Sequence, residues 1–219
     1  MEESGQTQRD MYHSVPLFAL PSYVLFPHTL VPFHVFEPGY LRTIESCLAG
    51  ERLLVVAGVP MDDEGDTGQP YRVAGLGRVV SDRRYRDGRI DVFVHGLMRV
   101  RIEQQSQVES VSLVDVEVLR EPIREGHDEV QRRIVDLATS LARLQGANGG
   151  ALGKVLSTRA DLGVLCDRLA ALLVDELSLR QYILEQTDPA VRALALEHLM
   201  VESLMRDEPD KPVGSGWLN

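Results

Sequence analysis

The sequence predicts an α+β protein in which a β-rich N-terminal lobe is followed by an α-helical C-terminal lobe. Three observations predict it. A proline-punctuated run of short apolar pieces occupies residues 15–36. Period-two alternation of apolar and polar residues recurs as far as Leu119. After Glu121-Pro122 the apolar spacing changes to steps of three and four, the helical period.

The run from Val15 to Pro38 holds four of the five Phe and five of the 11 Pro. Its apolar pieces, residues 17–20, 24–26 and 33–36, are too short for helices, and proline inside a helix removes a hydrogen bond and clashes. They read as buried strand pieces broken by proline bends. Glu37-Pro38 then opens a short helix. Leu41, Ile44 and Leu48 follow at helical spacing, Pro38 suits the first turn, and Gly50 suits the stop. Residues 53–57 are a continuous apolar run and read as a buried strand. Asp62, Asp63, Glu64 and Asp66 mark a solvated loop.

A strand over 71–80 is expected next. Asp87-Gly88 suits a two-residue type I′ hairpin turn, whose central residues both need positive φ. Ile90, Val92 and Val94 alternate with Asp91, Phe93 and His95 in the returning strand. Residues 96–102 start another strand. Residues 112–119 form the last, with Val114, Val116 and Val118 on one face.

In the second half Val130, Ile134, Leu137, Leu141 and Leu144 form one apolar stripe, ended by Gly146, Gly149 and Gly150. Leu162, Leu165, Cys166, Leu169, Leu172 and Leu173 form a second. Residues 178–186 are a short third helix. Asp188 as N-cap and Pro189 at the first helical position open a fourth, running to Met205. Val191, Leu194, Val201 and Leu204 are its core candidates. The expected organisation is a flexible tail (1–14), a β-rich lobe (15–120), a helical lobe (121–206) and a disordered polar tail (207–219). That last tail carries the only Trp, Trp217. It is expected to be free, the alternative being that Trp217-Leu218 docks in an apolar groove.

Composition narrows the function classes. The net charge of −10 repels phosphate backbones on average, so nucleic-acid binding is not expected. Cys47 and Cys166 form no CxxC pair, which removes the usual zinc and thioredoxin-like spacings. There is no signal-peptide core near the N-terminus and no apolar run of membrane-spanning length. A cytoplasmic protein with reduced thiols is expected.

Known catalytic spacings fail one by one. Residues 149–154 resemble a P-loop, but Asn148 replaces the first Gly and Val155 the Mg²⁺-holding Ser/Thr; they read as a flexible helix–helix loop. Gly75 and Gly77 precede a hairpin instead of a helix, so they read as strand glycines at a bend or a close backbone approach. The acidic loop lacks the Gly and terminal Glu of a calcium loop, with Thr67 and Val73 in their places. None of the six His has a HExxH partner. Ser215 sits in no nucleophile elbow. No catalytic residue, metal or cofactor is expected.

One resemblance gives these residues a context. Residues 16–50, PLFALPSYVLFPHTLVPFHVFEPGYLRTIESCLAG, resemble the start of the Lon protease N-terminal domain, also called the Lon substrate-binding domain. So do Gly75-Leu76-Gly77-Arg78-Val79, the Asp87-Gly88 hairpin, and Val94-His95-Gly96-Leu97-Met98-Arg99-Val100-Arg101-Ile102, in order and spacing. Phe36-Glu37-Pro38-x-Tyr40 is closer to stand-alone members, although Gly39 stands where they usually carry Arg. The helical half matches more loosely, and the likeness covers residues 15–205.

The resemblance implies a PUA-like pseudo-barrel, a helical bundle, and binding of unfolded or partly unfolded polypeptides; handing clients to a protease, or regulating one, is the expected role. It implies a chain without the family's ATPase and Ser-Lys peptidase modules, hence not an enzyme. Phe33, Phe36, Glu37, Tyr40, Leu41 and Arg42 cluster where strand passes into helix and are the candidate peptide-binding residues. Phe33 and Leu41 also suit the core. The alternative class is RNA binding, which PUA-like folds also host; the hairpin arginines Arg78, Arg83, Arg84, Arg86 and Arg89 would have to carry it.

Overall fold

The computed structural model describes residues 10–21, 23–61, 68–122, 126–145 and 150–205. The expected acidic loop falls mostly outside them, and the Trp217 tail entirely. Six strands come first: β1 (Met11–Pro21), β2 (Leu30–Val35), β3 (Leu53–Val59), β4 (Val73–Arg84), β5 (Ile90–Val108) and β6 (Val111–Val118). One helix, α1 (Pro38–Ala49), interrupts them, and α2 (Asp128–Leu144), α3 (Gly150–Leu156), α4 (Leu162–Leu173), α5 (Leu177–Glu185) and α6 (Pro189–Met205) follow. This is the expected α+β order, a β-rich lobe and then a helical one.

The sheet order is β2-β5-β4-β3-β1-β6, and β6 also pairs with β5. That extra pairing closes β5, β4, β3, β1 and β6 into a pseudo-barrel and leaves β2 as an appended edge. Among the described strands only β1 and β3 run parallel. Inside the ring lie Leu17, Val55, Leu76, Val100 and Val116, among others. A second core, with Phe18, Phe33, Val56, Val92 and Val94, is covered by Ile44 and Cys47 of α1. β3 therefore separates two cores and is buried along its whole length, which is why it reads as an unbroken apolar run.

Several elements differ from expectation. Met11–Ser14 belong to β1, because Met11 and Tyr12 pair with Glu117 and Val116 of β6. The hairpin is not type I′. Tyr85 and Arg89 close a three-residue loop through Tyr85 N–H to Arg89 O (2.9 Å), and only Gly88 within it has positive φ. The strands expected either side of Gly96 are one strand, β5, bonded to β2 along its first half and to β6 along its second. Residues 150–156 form the helix α3, with Leu152 buried, instead of a loop. On α6 the buried face is Ala193, Leu196 and Met200; Leu194 is 65% exposed, and Val191, Val201 and Leu204 are half-buried.

Residues 23–26 are not a strand. Bracketed by Pro21 and Pro27, they pass between the lobes. Leu25 joins the core under α1, while Val24 and Phe26 join the helical core of Ile134, Leu165, Leu169 and Ile183. The segment presses on the sheet where glycines allow it. A Cβ on Gly75 would overlap the Leu25 carbonyl oxygen and stand 2.9 Å from Leu25 Cβ; one on Gly96 would overlap the Phe26 carbonyl oxygen. The strand glycines are sites of close backbone approach.

Polar contacts join the lobes as well. Arg99 of β5 is buried and donates through both terminal nitrogens to Asp167 of α4, through Nε to Leu184 O (2.9 Å), and to Glu121 (3.2 Å). Arg192 of α6 donates to the same Glu121 oxygen (2.5 Å) and to Gln186 O (2.9 Å). Buried ion pairs of this kind lose about 3–5 kcal/mol when one partner is removed, because the other charge is left desolvated. Gln181 of α5 adds a bond to Val73 O of β4 (3.0 Å).

Candidate functional site

β2 is a sheet edge: it pairs with β5 on one side and with no described strand on the other. Along that free side the two lobes leave a groove of about 830 Å³. One wall is the whole of β2 and the turn into α1. The facing wall comes from α3, α4 and the start of α5, through Ala151, Lys154, Val155, Arg168, Leu172 and Arg180. The floor is aromatic: Phe18 packs edge-on against Phe33 (5.5 Å) and Tyr40 (5.1 Å), and Tyr23 edge-on against Phe33 (5.1 Å). Arg180 lies over the Tyr23 ring at 5.7 Å. At the rim Leu30 and Phe36 are 56% and 58% exposed, a large apolar area to leave in water.

Of the residues expected at the site, Phe33, Phe36, Glu37 and Tyr40 line this groove. Phe33 does so from the core, where it is 7% exposed. Leu41 packs on the core under α1, and Arg42 is exposed; neither lines the groove. Pro38 begins α1, so the helix starts abruptly after Glu37, whose carbonyl accepts from Leu41 N–H (2.9 Å). Burial first, and the Glu37 charge second, push the Tyr40 hydroxyl above its usual range. The helical wall was not foreseen. Its one sequence signal was the appearance of the cations Lys154, Arg168 and Arg180 within helices rich in apolar residues.

A polar cluster stands at the same rim. His34 Nδ1 and Asp91 share a hydrogen bond, and Tyr85 donates to the other Asp91 oxygen (2.5 Å). Arg89 reaches His34 Nε2 at 3.4 Å and grips Asp87 at 2.7 and 2.8 Å. The Tyr85 bond, with the His34 bond behind it, holds the Asp91 carboxyl below its usual range. Among the described residues no Ser, Thr or Cys side chain bonds to this Asp–His pair. Of the hairpin arginines, Arg84 pairs with Glu45 (3.4 Å) and Arg89 with Asp87, Arg83 lies over the Tyr85 ring (5.1 Å), and Arg78 donates to the Glu51 carbonyl (3.2 Å). Two of the five are thus paired with carboxylates, which reduces the positive field there for a phosphate backbone.

The remaining chemistry is sparse. Ser157 Oγ donates to the Lys154 carbonyl (2.9 Å), so the two residues form a helix-end turn and not a Ser–Lys dyad. Among the described residues no cluster of three or more His, Cys, Asp or Glu is set to hold a metal, and no helix is long and apolar enough to cross a membrane. A second cavity, of about 880 Å³, opens between the start of β1 and the linker after β6 and contains Arg99 and Glu121 of the buried network.

A family model described as the ATP-dependent protease La (LON) substrate-binding domain matches residues 14–202. The chain belongs to the Lon substrate-binding domain family. Among relatives, a Lon protease of Trichlorobacter lovleyi is 27% identical over 203 residues, covering 85% of this chain and 24% of that protein. The chain thus spans about a quarter of the length of the Lon protease it matches. The N-terminal domain of a Mycobacterium avium complex Lon protease shares the fold at a TM-score of 0.65 with 20% identity, covering 86% of this chain and 98% of that one. A Lon N-terminal domain protein from Xanthomonas campestris gives 0.55 and 25%, covering 90% and 99%. The matching part is Lon's substrate-binding domain, not its ATPase or peptidase.

Proposed function

We propose that this Lon-family chain is a non-enzymatic polypeptide-binding module. Its inter-lobe groove receives unfolded or partly unfolded segments, and the module hands them to a protease or regulates one. The observation that carries this reading is the groove itself: an aromatic floor, exposed Leu30 and Phe36 at its rim, and a free strand edge along one wall. Apolar side chains beside an open edge suit an extended peptide, which gains main-chain hydrogen bonds from the edge and side-chain burial from the floor. Family membership supports the class of ligand. Two buried free thiols fit a reducing cytoplasm.

Binding of a permanently unfolded polypeptide such as casein, followed by fluorescence anisotropy, tests the reading. Burial of each large apolar side chain is worth about 1.5–3 kcal/mol, so the double variant Leu30→Ser, Phe36→Ser should weaken binding by about tenfold or more. Val108→Ser, at an exposed valine outside the groove, should leave it unchanged. Equal affinity for both variants and the parent chain, or cleavage of casein by the pure protein with or without ATP, overturns the proposal.

A further inference from the structure

Building on the polypeptide-binding reading of the groove, we infer that it selects extended segments in which carboxylates accompany the apolar side chains. The helical wall presents three cations, Lys154 from α3, Arg168 from α4 and Arg180 from α5. Among the described residues none of the three is in an ion pair. Arg168 Nε meets only the His28 carbonyl, at 3.5 Å, and Arg180 donates to Ala171 O (2.9 Å) while its buried Nε has no hydrogen-bond partner. Among the described residues Asp175 is the one acidic residue on that wall, and Glu37 stands across the groove beyond the end of β2. This excess of cations is local, on a chain whose net charge is −10.

An apolar groove lowers the local dielectric and strengthens any charge-assisted bond formed in it. A carboxylate brought in by the ligand would give these guanidinium and ammonium groups partners they lack; a lysine would not. The ligand is extended because β2 lines the groove throughout its length with one edge unpaired. A strand added there alternates its side chains, setting apolar and charged residues on opposite faces. Pro32 sits mid-strand and has no N–H, so the edge carries a donor gap that limits pairing with other copies of itself.

Two labelled peptides of about eight residues, enough to run along β2 at ~3.3 Å per residue, provide the test. Both carry the same apolar residues at alternate positions; one has Glu and the other Lys between them. The Glu peptide should bind about tenfold tighter at low salt, and the gap should narrow as salt screens the charges. Lys154→Glu with Arg168→Glu, its fold checked by circular dichroism, should reverse the order. If both peptides bind equally and both lose affinity with Phe36→Ser, the groove stands as the polypeptide site and the charge selection falls. If neither peptide binds, the groove reading falls with it. Removing residues 206–219, which include Asp207, Glu208, Asp210 and Trp217, should leave both affinities unchanged. Tighter Glu-peptide binding after removal would identify the chain's own tail as the occupant and overturn the assignment to a separate polypeptide.

Discussion

Cys47 and Cys166 lie in different cores, Cys47 on the buried face of α1 and Cys166 among the C-terminal helices, and burial dominates the chemistry of both. It pushes the Cys47 thiol up to about 11 and the Cys166 thiol to about 12, with nearby arginines only partly offsetting it. An unfolded-chain cysteine titrates near ~8.5. Between those limits the unfolded chain has released protons that the native protein retains, so stability must fall as pH rises above ~8.5. Tyr23, raised by burial to about 12, adds to the fall at still higher pH. Urea midpoints should therefore drop between neutral and alkaline pH, and Cys47→Ala with Cys166→Ala should shrink the drop. A thiol reagent that modifies the native protein at the rate of a free cysteine would contradict this. Residue-scale roles were unevenly legible. Gly75 and Gly77 could be read as points of close approach, but only the fold shows that Leu25 is what approaches them.

The elements with strong periodicity were the most legible ones. α1 has the expected bounds because Pro38 and Gly50 fix its ends, and β3 is buried on both faces as its unbroken apolar run required. Asp188 caps α6 as expected, accepting from Ala190 N–H at 2.9 Å. Legibility fell where tertiary contacts decide. β5 continues through Gly96 because two different partners hold its two halves, and α3 forms because Leu152 reaches the helical core. α6 is apolar on most sides, so its sequence fits several buried faces. Its packing predicts a contrast: Met200→Ala should cost about 2–5 kcal/mol in urea denaturation. Leu194→Gln should stay within about 0.5 kcal/mol. Similar losses at both positions would mean that α6 is rotated from the arrangement described.

At the scale of the whole molecule, the groove exists because two lobes are held at a fixed separation. The Val24–Phe26 segment enters the helical core from one side, and the Arg99–Asp167–Glu121–Arg192 network joins β5 to α4 and α6 from another. The sequence showed the strand wall, because Phe33, Phe36, Glu37 and Tyr40 are close in the chain. It did not show the helical wall, whose residues lie more than a hundred positions away and meet β2 only through this docking. The proposed function places polypeptide between these walls. Amide hydrogen exchange with and without an unfolded client tests it most directly, since an added strand must protect the free edge it pairs with. Binding in the groove predicts new protection at the β2 edge, at Leu30 and His34, and slower exchange along α3 and the start of α5, with β6 unchanged. Client-dependent protection confined to β6 or α6, with β2 exchanging as in the free protein, would contradict it.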